Sequence, residues 1–419
     1  MSPNKVEKLQ EPKPRVFYGY FIIILSIIIL LPSFGIYDSF GIFLTPLLNE
    51  FNWARATASG AYSLSFILLG VVGILWGRMT DRYGPRIVLI LCGLLIGSGY
   101  LLMSQVNNLW HLYLFLGVMV GSGMGGTWAP LLSLVSRWFS KRRGLMTGVV
   151  LTGLSAGGMI SPPIINHLIS NYGLSTAYLV LGGVILVLIV LAAQFLKLDP
   201  SKIGQSPDGI IEGNHEISKQ DSDGYSLREA FHTPQCWLLL LMFSCLGFCF
   251  FSIVIHIVPH AIDLGISRGS AALILTINGG ASIVGNFVMG RVGDRIGPRR
   301  VFNICFILTA VAVIWLLQAT EVWMLYLFII IFGFSIGGNI TSEAPLTARL
   351  FGLRYHGSIL GFAAFGFTIG AALGPVLTGY IFDLTSSYQI AFVVCIMIAI
   401  VGFILATVLR PTEKIGGTI

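Results

Sequence analysis

The sequence predicts an all-α membrane protein in which twelve transmembrane helices form two pseudo-symmetric six-helix bundles. Three observations carry that prediction. Of 419 residues, 55% are hydrophobic and only 10% charged, a balance foreign to water-soluble domains. The apolar residues gather into twelve runs of spanning length between polar breaks. The second half of the chain also repeats the first at a constant offset of 213 residues.

Lipid offers no water to the backbone, so helices carry the crossing and each needs about 20 apolar residues. The first run, 17–45, follows a basic tail over 1–16. It is too long for a signal-peptide core and has no small-residue cleavage site behind it, so the span is expected to be retained. Runs 56–77 and 87–106 flank a charged turn, 110–134 opens at Trp110 and is rich in glycine, and 144–169 and 174–196 complete a first bundle over 17–197. Residues 198–232 carry Asp199, Lys202, Asp208, Glu212, Glu216, Lys219, Asp221, Asp223, Arg228 and Glu229 and read as a solvated linker. Runs 236–262, 270–290, 300–319, 323–347, 357–382 and 388–409 build a second bundle over 233–409, before a tail at 410–419.

The formal net charge of +7 is placed for a bilayer and not for nucleic acid. Of 25 Lys and Arg, only Arg55 and Arg268 fall on the side opposite the N-terminus, so the positive-inside bias puts both termini and the linker in the cytoplasm. Compact loops and short termini point to the inner membrane of a prokaryote; the protein is expected to work as a monomer. Trp53, Trp110 and Trp323 sit near outer span ends, and Trp138 and Trp237 near inner ones, where interfacial anchors belong. All six cysteines lie in or beside apolar spans, which favours small core residues over disulfides or zinc. No cofactor or metal site is expected. GSGMGG at 121–126 fits the dinucleotide fingerprint but lies within a span, where close helix packing is the reading. With no Walker motif and no nucleophile constellation, an enzyme is not expected.

The repeat bears on mechanism. The 213-residue shift aligns Arg78 with Arg291, Asp81 with Asp294, Arg82 with Arg295 and Gly84-Pro85-Arg86 with Gly297-Pro298-Arg299, then holds without a gap through Trp110 and Trp323, Gly148 and Gly361, and Pro162 and Pro375. Six spans per copy give both copies one orientation. Parallel repeats with a site between them suit a transporter that rocks about a central cavity, whereas a channel would show a filter or charged ring.

In GRMTDRYGPR, 77–86, and GRVGDRIGPR, 290–299, Gly77 and Gly290 permit close helix approach, Asp81 and Asp294 can face a neighbouring helix N-terminus, and Gly84 and Gly297 turn the chain. These loops, with twelve spans and a halfway linker, resemble the major facilitator superfamily over essentially the whole chain. The resemblance implies a gating role for the motif: Gly77, Asp81, Arg82, Gly84 and Arg86, with Gly290, Asp294, Arg295, Gly297 and Arg299. A turn needed only for folding is the structural alternative.

RWFSKRRGLMTGVVLTGLSAGG, 137–158, leads from Trp138-Phe139 through Lys141, Arg142 and Arg143 into a ladder of Gly148, Gly153 and Gly157. It is similar to the signature of the monocarboxylate transporters and the neighbouring oxalate/formate antiporters. That resemblance implies proton-coupled symport of a small monocarboxylate such as lactate or pyruvate. The chain departs from the pattern where members carry a Lys in the first span and an Asp and Arg in the eighth. Asp38, Ser282 and Asn286 stand there.

The ionisable residues inside spans are Asp38, Glu343, His167 and His256, with His260 nearer an end. A charge at the bilayer centre costs about 3 kcal/mol, so such residues face cavities and mark pathways. A carboxyl screened from water takes up a proton more readily, and Asp38 is the expected coupling group, with Glu343 and His256 beside it. Helix–helix hydrogen bonding is the bland alternative for each. An organic anion would have to be met by dipoles, from Trp128, His256, Asn278, Ser282, Asn286 and Asn339. The same lack of cations leaves open a proton-driven efflux antiporter for cationic or neutral compounds, an organic-anion exchanger, or a membrane sensor on a transporter fold.

Overall fold

The computed structural model describes residues 17–53, 55–209 and 224–410. The expected tails at 1–16 and 411–419 and the middle of the linker, 210–223, lie outside the described residues. Among the described residues fourteen helices follow in order, besides two short 3-10 turns at Pro200–Ile203 and Pro207–Gly209: α1 (Tyr18–Asp38), α2 (Phe40–Phe51), α3 (Arg55–Tyr83), α4 (Pro85–Met103), α5 (Leu109–Trp138), α6 (143–172), α7 (174–194), α8 (Leu227–Phe231), α9 (Pro234–Asp263), α10 (Arg268–Ile296), α11 (Pro298–Leu316), α12 (Val322–Phe351), α13 (His356–Thr385) and α14 (Gln389–Val408). Eleven continuous helices among the described residues are long and apolar enough to cross a membrane. The longest, Arg143–Gln194, turns at Gly173 with φ +82° and is two spans, α6 and α7, which brings the described spans to twelve.

Each half buries its own seams. In the first, α1 lies along α6 and α4 along α6–α7; in the second, α9 lies along α13 and α10 along α12. Two further seams join the halves, α3 with α13 and α6 with α10, and the repeat relates one to the other. Glycines set their closeness. A Cβ on Gly77 would collide with the carbonyl oxygen of Gly357, and one on Gly290 would meet that of Gly144 at 2.5 Å. Around the perimeter Ile24, Ile67, Leu75, Val187, Leu191, Ile307 and Ile404 are exposed, as lipid-facing residues of a multi-pass membrane protein are.

Local structure departs from the sequence reading at four places. The first run is broken at Ser39, where Ser39 N–H and Ile42 N–H reach back only three residues, to Ile36 and Ser39, and the Ser39 hydroxyl bonds the Gly35 carbonyl. Within α5, Tyr113–Val120 is wound as a π-helix, a form frequent near functional sites. Trp138 is not a lipid-facing anchor: it is fully buried under Phe17 and Tyr18, and its indole N–H donates to the Lys197 carbonyl at 2.8 Å. The described ends of the linker are docked, the first through Gln205, which accepts from Tyr18 N–H at 3.1 Å, and the second through Tyr225, whose N–H donates to the Phe351 carbonyl at 2.9 Å.

Candidate transport cavity and gate

A cavity of about 700 Å³ lies between the halves. Its wall takes α1, the first turn of α2, α3, α5 and α6 from the first half, and from the second α9, α10, α12 and α13, the repeat mates of α1, α3, α5 and α6. Aromatic faces dominate it, with Phe34, Tyr37, Phe66, Trp128, Phe250, Phe251, Phe365 and Phe367. The polar lining is Asp38, Ser39, Ser155, Thr276, Asn278, Ser282, Glu343 and Thr368, and the described lining contains no Lys, Arg or His.

Asp38 is the last residue of α1 before the break. At 1.5 Å rise per residue it stands about 30 Å from the helix start. It is exposed, and because it lines the cavity that exposure is to the cavity. Behind it Tyr37 is buried, its hydroxyl 2.9 Å from that of Ser65. Glu343 sits at the other end of the wall, eight residues before the end of α12, only 2% exposed, with the Trp128 indole as its hydrogen-bonding neighbour across the halves. The Trp128 ring in turn stands edge-on to Phe34, one turn before Asp38, at 5.7 Å.

Asn278 and Ser282 also reach the wall, the Oδ1 of Asn278 lying buried against Gly333 without a partner. Asn286 and Asn339 do not. Asn286 lies one turn below Ser282, where Gly148 lets α6 close against its backbone, and its Oδ1 accepts from Thr341 at 3.0 Å. Asn339 is fully buried beside that wall without lining it, and its side-chain Nδ2 and Oδ1 have no hydrogen-bond partner among the described residues. His256 is half-buried and its Nε2 donates to the Pro375 carbonyl at 3.1 Å, on the α9–α13 seam and off the wall. His167 is exposed beside Asn171.

Below the cavity, at the end carrying the repeated motif, two carboxylates cross between the halves. Asp81, at the end of α3, accepts from Gly357 N–H at 3.1 Å, Ser358 N–H at 2.8 Å and the Ser358 hydroxyl at 2.7 Å, so it caps the N-terminus of α13. Asp294, at the end of α10, accepts from Gly144 N–H at 2.6 Å and Leu145 N–H at 2.9 Å and caps α6. A helix start presents unpaired N–H groups and a positive dipole end, which a carboxylate satisfies. The two contacts are repeat mates but not equals. The Asp81 side chain is 3% exposed and also meets Arg137 at 3.3 Å, whereas Asp294 is exposed and accepts from two backbone N–H groups, with the Arg143 charge nearby.

The remaining motif residues hold the turns. Gly84 and Gly297 have φ of +86° and +95°, conformations that glycine adopts without strain. Arg86 bonds Gln194, and its mate Arg299 bonds the carbonyls of Ala406 and Thr407, tying α4 and α11 to the last helix of each half. Arg82 lies over Tyr83, and Arg295, Lys141 and Arg142 are exposed. Arg143 donates to the Ser136 and Phe139 carbonyls and closes the end of α5. Arg137 is the residue the sequence reading missed. It sits within a basic cluster that serves topology equally well, and its repeat mate is Leu350.

The family model of the Major Facilitator Superfamily matches residues 16–267 and 253–417. Monocarboxylate transporter 13 of Rattus norvegicus is 28% identical over 364 residues, covering 86% of this chain and 82% of that protein. Monocarboxylate transporter 12 of the same species is 28% identical over 336 residues, covering 73% and 68%. An uncharacterised MFS-type transporter of Escherichia coli (strain K12) is 27% identical over 321 residues, covering 74% and 76%. Among solved structures, the transporter FucP in the outward conformation superposes with a TM-score of 0.72 at 16% identity, over 95% of this chain and 100% of that one; this likeness concerns the fold. The chain belongs to the Major Facilitator Superfamily and is a membrane transporter, not an enzyme.

Proposed function

We propose that the protein is a proton-coupled secondary active transporter that moves a small monocarboxylate, of the lactate or pyruvate type, in symport with the proton by alternating access. One observation carries the reading: a single wall built from both halves encloses the cavity, and the carboxylate caps shut the same two halves together beneath it. Asp38 carries the proton. Once neutral it no longer repels an incoming carboxylate, and the dipoles of Ser282 and Asn278 orient the anion. Glu343 is the second acid on the path. The names of the relatives support the substrate class. The motif end faces the cytoplasm, which the placement of Lys and Arg supports; both termini lie there, the membrane is the cell's inner membrane, and the protein works as a monomer.

A second reading is proton-driven efflux of organic cations or neutral compounds. Two carboxylates, a described lining without Lys, Arg or His, and a volume generous for a three-carbon acid favour it. Purified protein in liposomes separates the two. Under an inward proton gradient, labelled lactate or pyruvate is expected to enter several-fold faster than into empty vesicles. Failure of both acids to enter, with tetraphenylphosphonium accumulating when the lumen is acidic, would replace the first reading by the second.

A further inference from the structure

The first turns of the linker meet the gate at two points. Arg137, at the end of α5, has an 11% exposed side chain, and its guanidinium reaches Asp81 at 3.3 Å, the Arg354 carbonyl of the opposite half at 3.2 Å, and the linker residue Asp199 at 3.4 Å. The Asp208 carboxylate accepts from Ser140 N–H at 2.9 Å and Lys141 N–H at 2.7 Å. These residues form the loop that leads directly into Gly144 and Leu145, the donors to Asp294. At its other end the linker docks on the mate of that loop, with Gly224 against Arg354 and Tyr225 bonded to Phe351. The linker therefore touches both loops that lead into the helix starts whose N–H groups close the gate.

We propose that segment 199–208 is a working part of the gate, in which Asp208 positions the start of α6 for Asp294 and Asp199 orients Arg137 onto Asp81. The proposal rests on the alternating-access reading. Asp208 holds φ of +60°, a left-handed conformation uncommon outside glycine that Asp tolerates better than most residues, and its two backbone contacts are charge-assisted. Asp208 and Asp294 also repel one another, but Asp294 is exposed and Arg143 lies beside it, so screening leaves the positioning contacts dominant.

The test measures the separation of the halves at the motif end. Spin labels go on exposed sites outside the gate contacts, Tyr83→Cys and Arg300→Cys; the six native cysteines are buried. Asp208→Gly removes the acceptor without adding backbone strain, and Asp199→Ala removes the partner of Arg137. With Asp81→Asn as a positive control, each linker variant is expected to raise the long-distance fraction at least threefold, with melting temperature held near that of the parent. Linker variants that match the parent while Asp81→Asn shifts the distribution would overturn the linker's role and leave the gate standing. If Asp81→Asn shifts nothing, the latch and the proposal fall together.

Discussion

Asp81→Asn is expected to release the closed gate, moving the balance between the two closed states by about 30-fold toward opening at the motif end. Asp81 is nearly excluded from water and meets three donors of Ser358 and Gly357 together with Arg137. A hydrogen bond to a charged group contributes about 1.5–3 kcal/mol net, and an amide oxygen retains part of the set without the charge. A loss of about 2 kcal/mol is a factor of about 30 in the conformational equilibrium. Transport should fall at least about tenfold while the protein still inserts, as followed by initial uptake rates and membrane abundance. Asp294→Asn should have the smaller effect, because that carboxylate is exposed and accepts from two backbone N–H groups, where Asp81 is nearly dry and meets three donors and Arg137. Equal effects would contradict the asymmetry, and unchanged transport in Asp81→Asn would remove the gating role.

Asp38→Asn is expected to separate exchange from accumulation. The amide fills the same space at the end of α1 but carries no exchangeable proton charge. Gradient-driven accumulation should collapse to equilibration, a loss of up to about tenfold under a one-unit pH difference, because that gradient supplies about 1.4 kcal/mol per proton. Exchange of internal for external substrate needs no net proton and should persist within a few-fold. Accumulation that survives the substitution demotes Asp38 to packing. Loss of exchange as well places it in substrate binding.

Much of the fold was legible because lipid makes the code coarse. Run lengths mark spans, and a gap-free repeat through Gly84 and Gly297, Gly148 and Gly361 shows where one half recurs in the other. The cavity was legible to the face of a helix but not to its depth. Asn278, Ser282 and Asn286 form one stripe on α10, yet the floor closes between the last two, where Gly148 brings α6 against the Asn286 carbonyl. On α12, Ile336, Ile340 and Glu343 line the cavity while Asn339, at the edge of the same face, is packed out of it, a difference of a few tens of degrees that an all-round apolar helix does not encode. Arg137 was hidden for a different reason. Its charge suits topology and gating alike, and the two are separated by the positions of Asp81 and the Arg354 carbonyl, both distant in sequence.

The central claim is that a proton and a monocarboxylate cross together, and proton movement measures it most directly. Vesicles containing the protein would be suspended in weakly buffered medium with the membrane potential clamped, and lactate or pyruvate added while external pH is followed. The account predicts prompt alkalinisation of the medium, stoichiometric with labelled uptake and absent from Asp38→Asn vesicles and from empty ones. Uptake without any pH change, beyond that of empty vesicles, would contradict it.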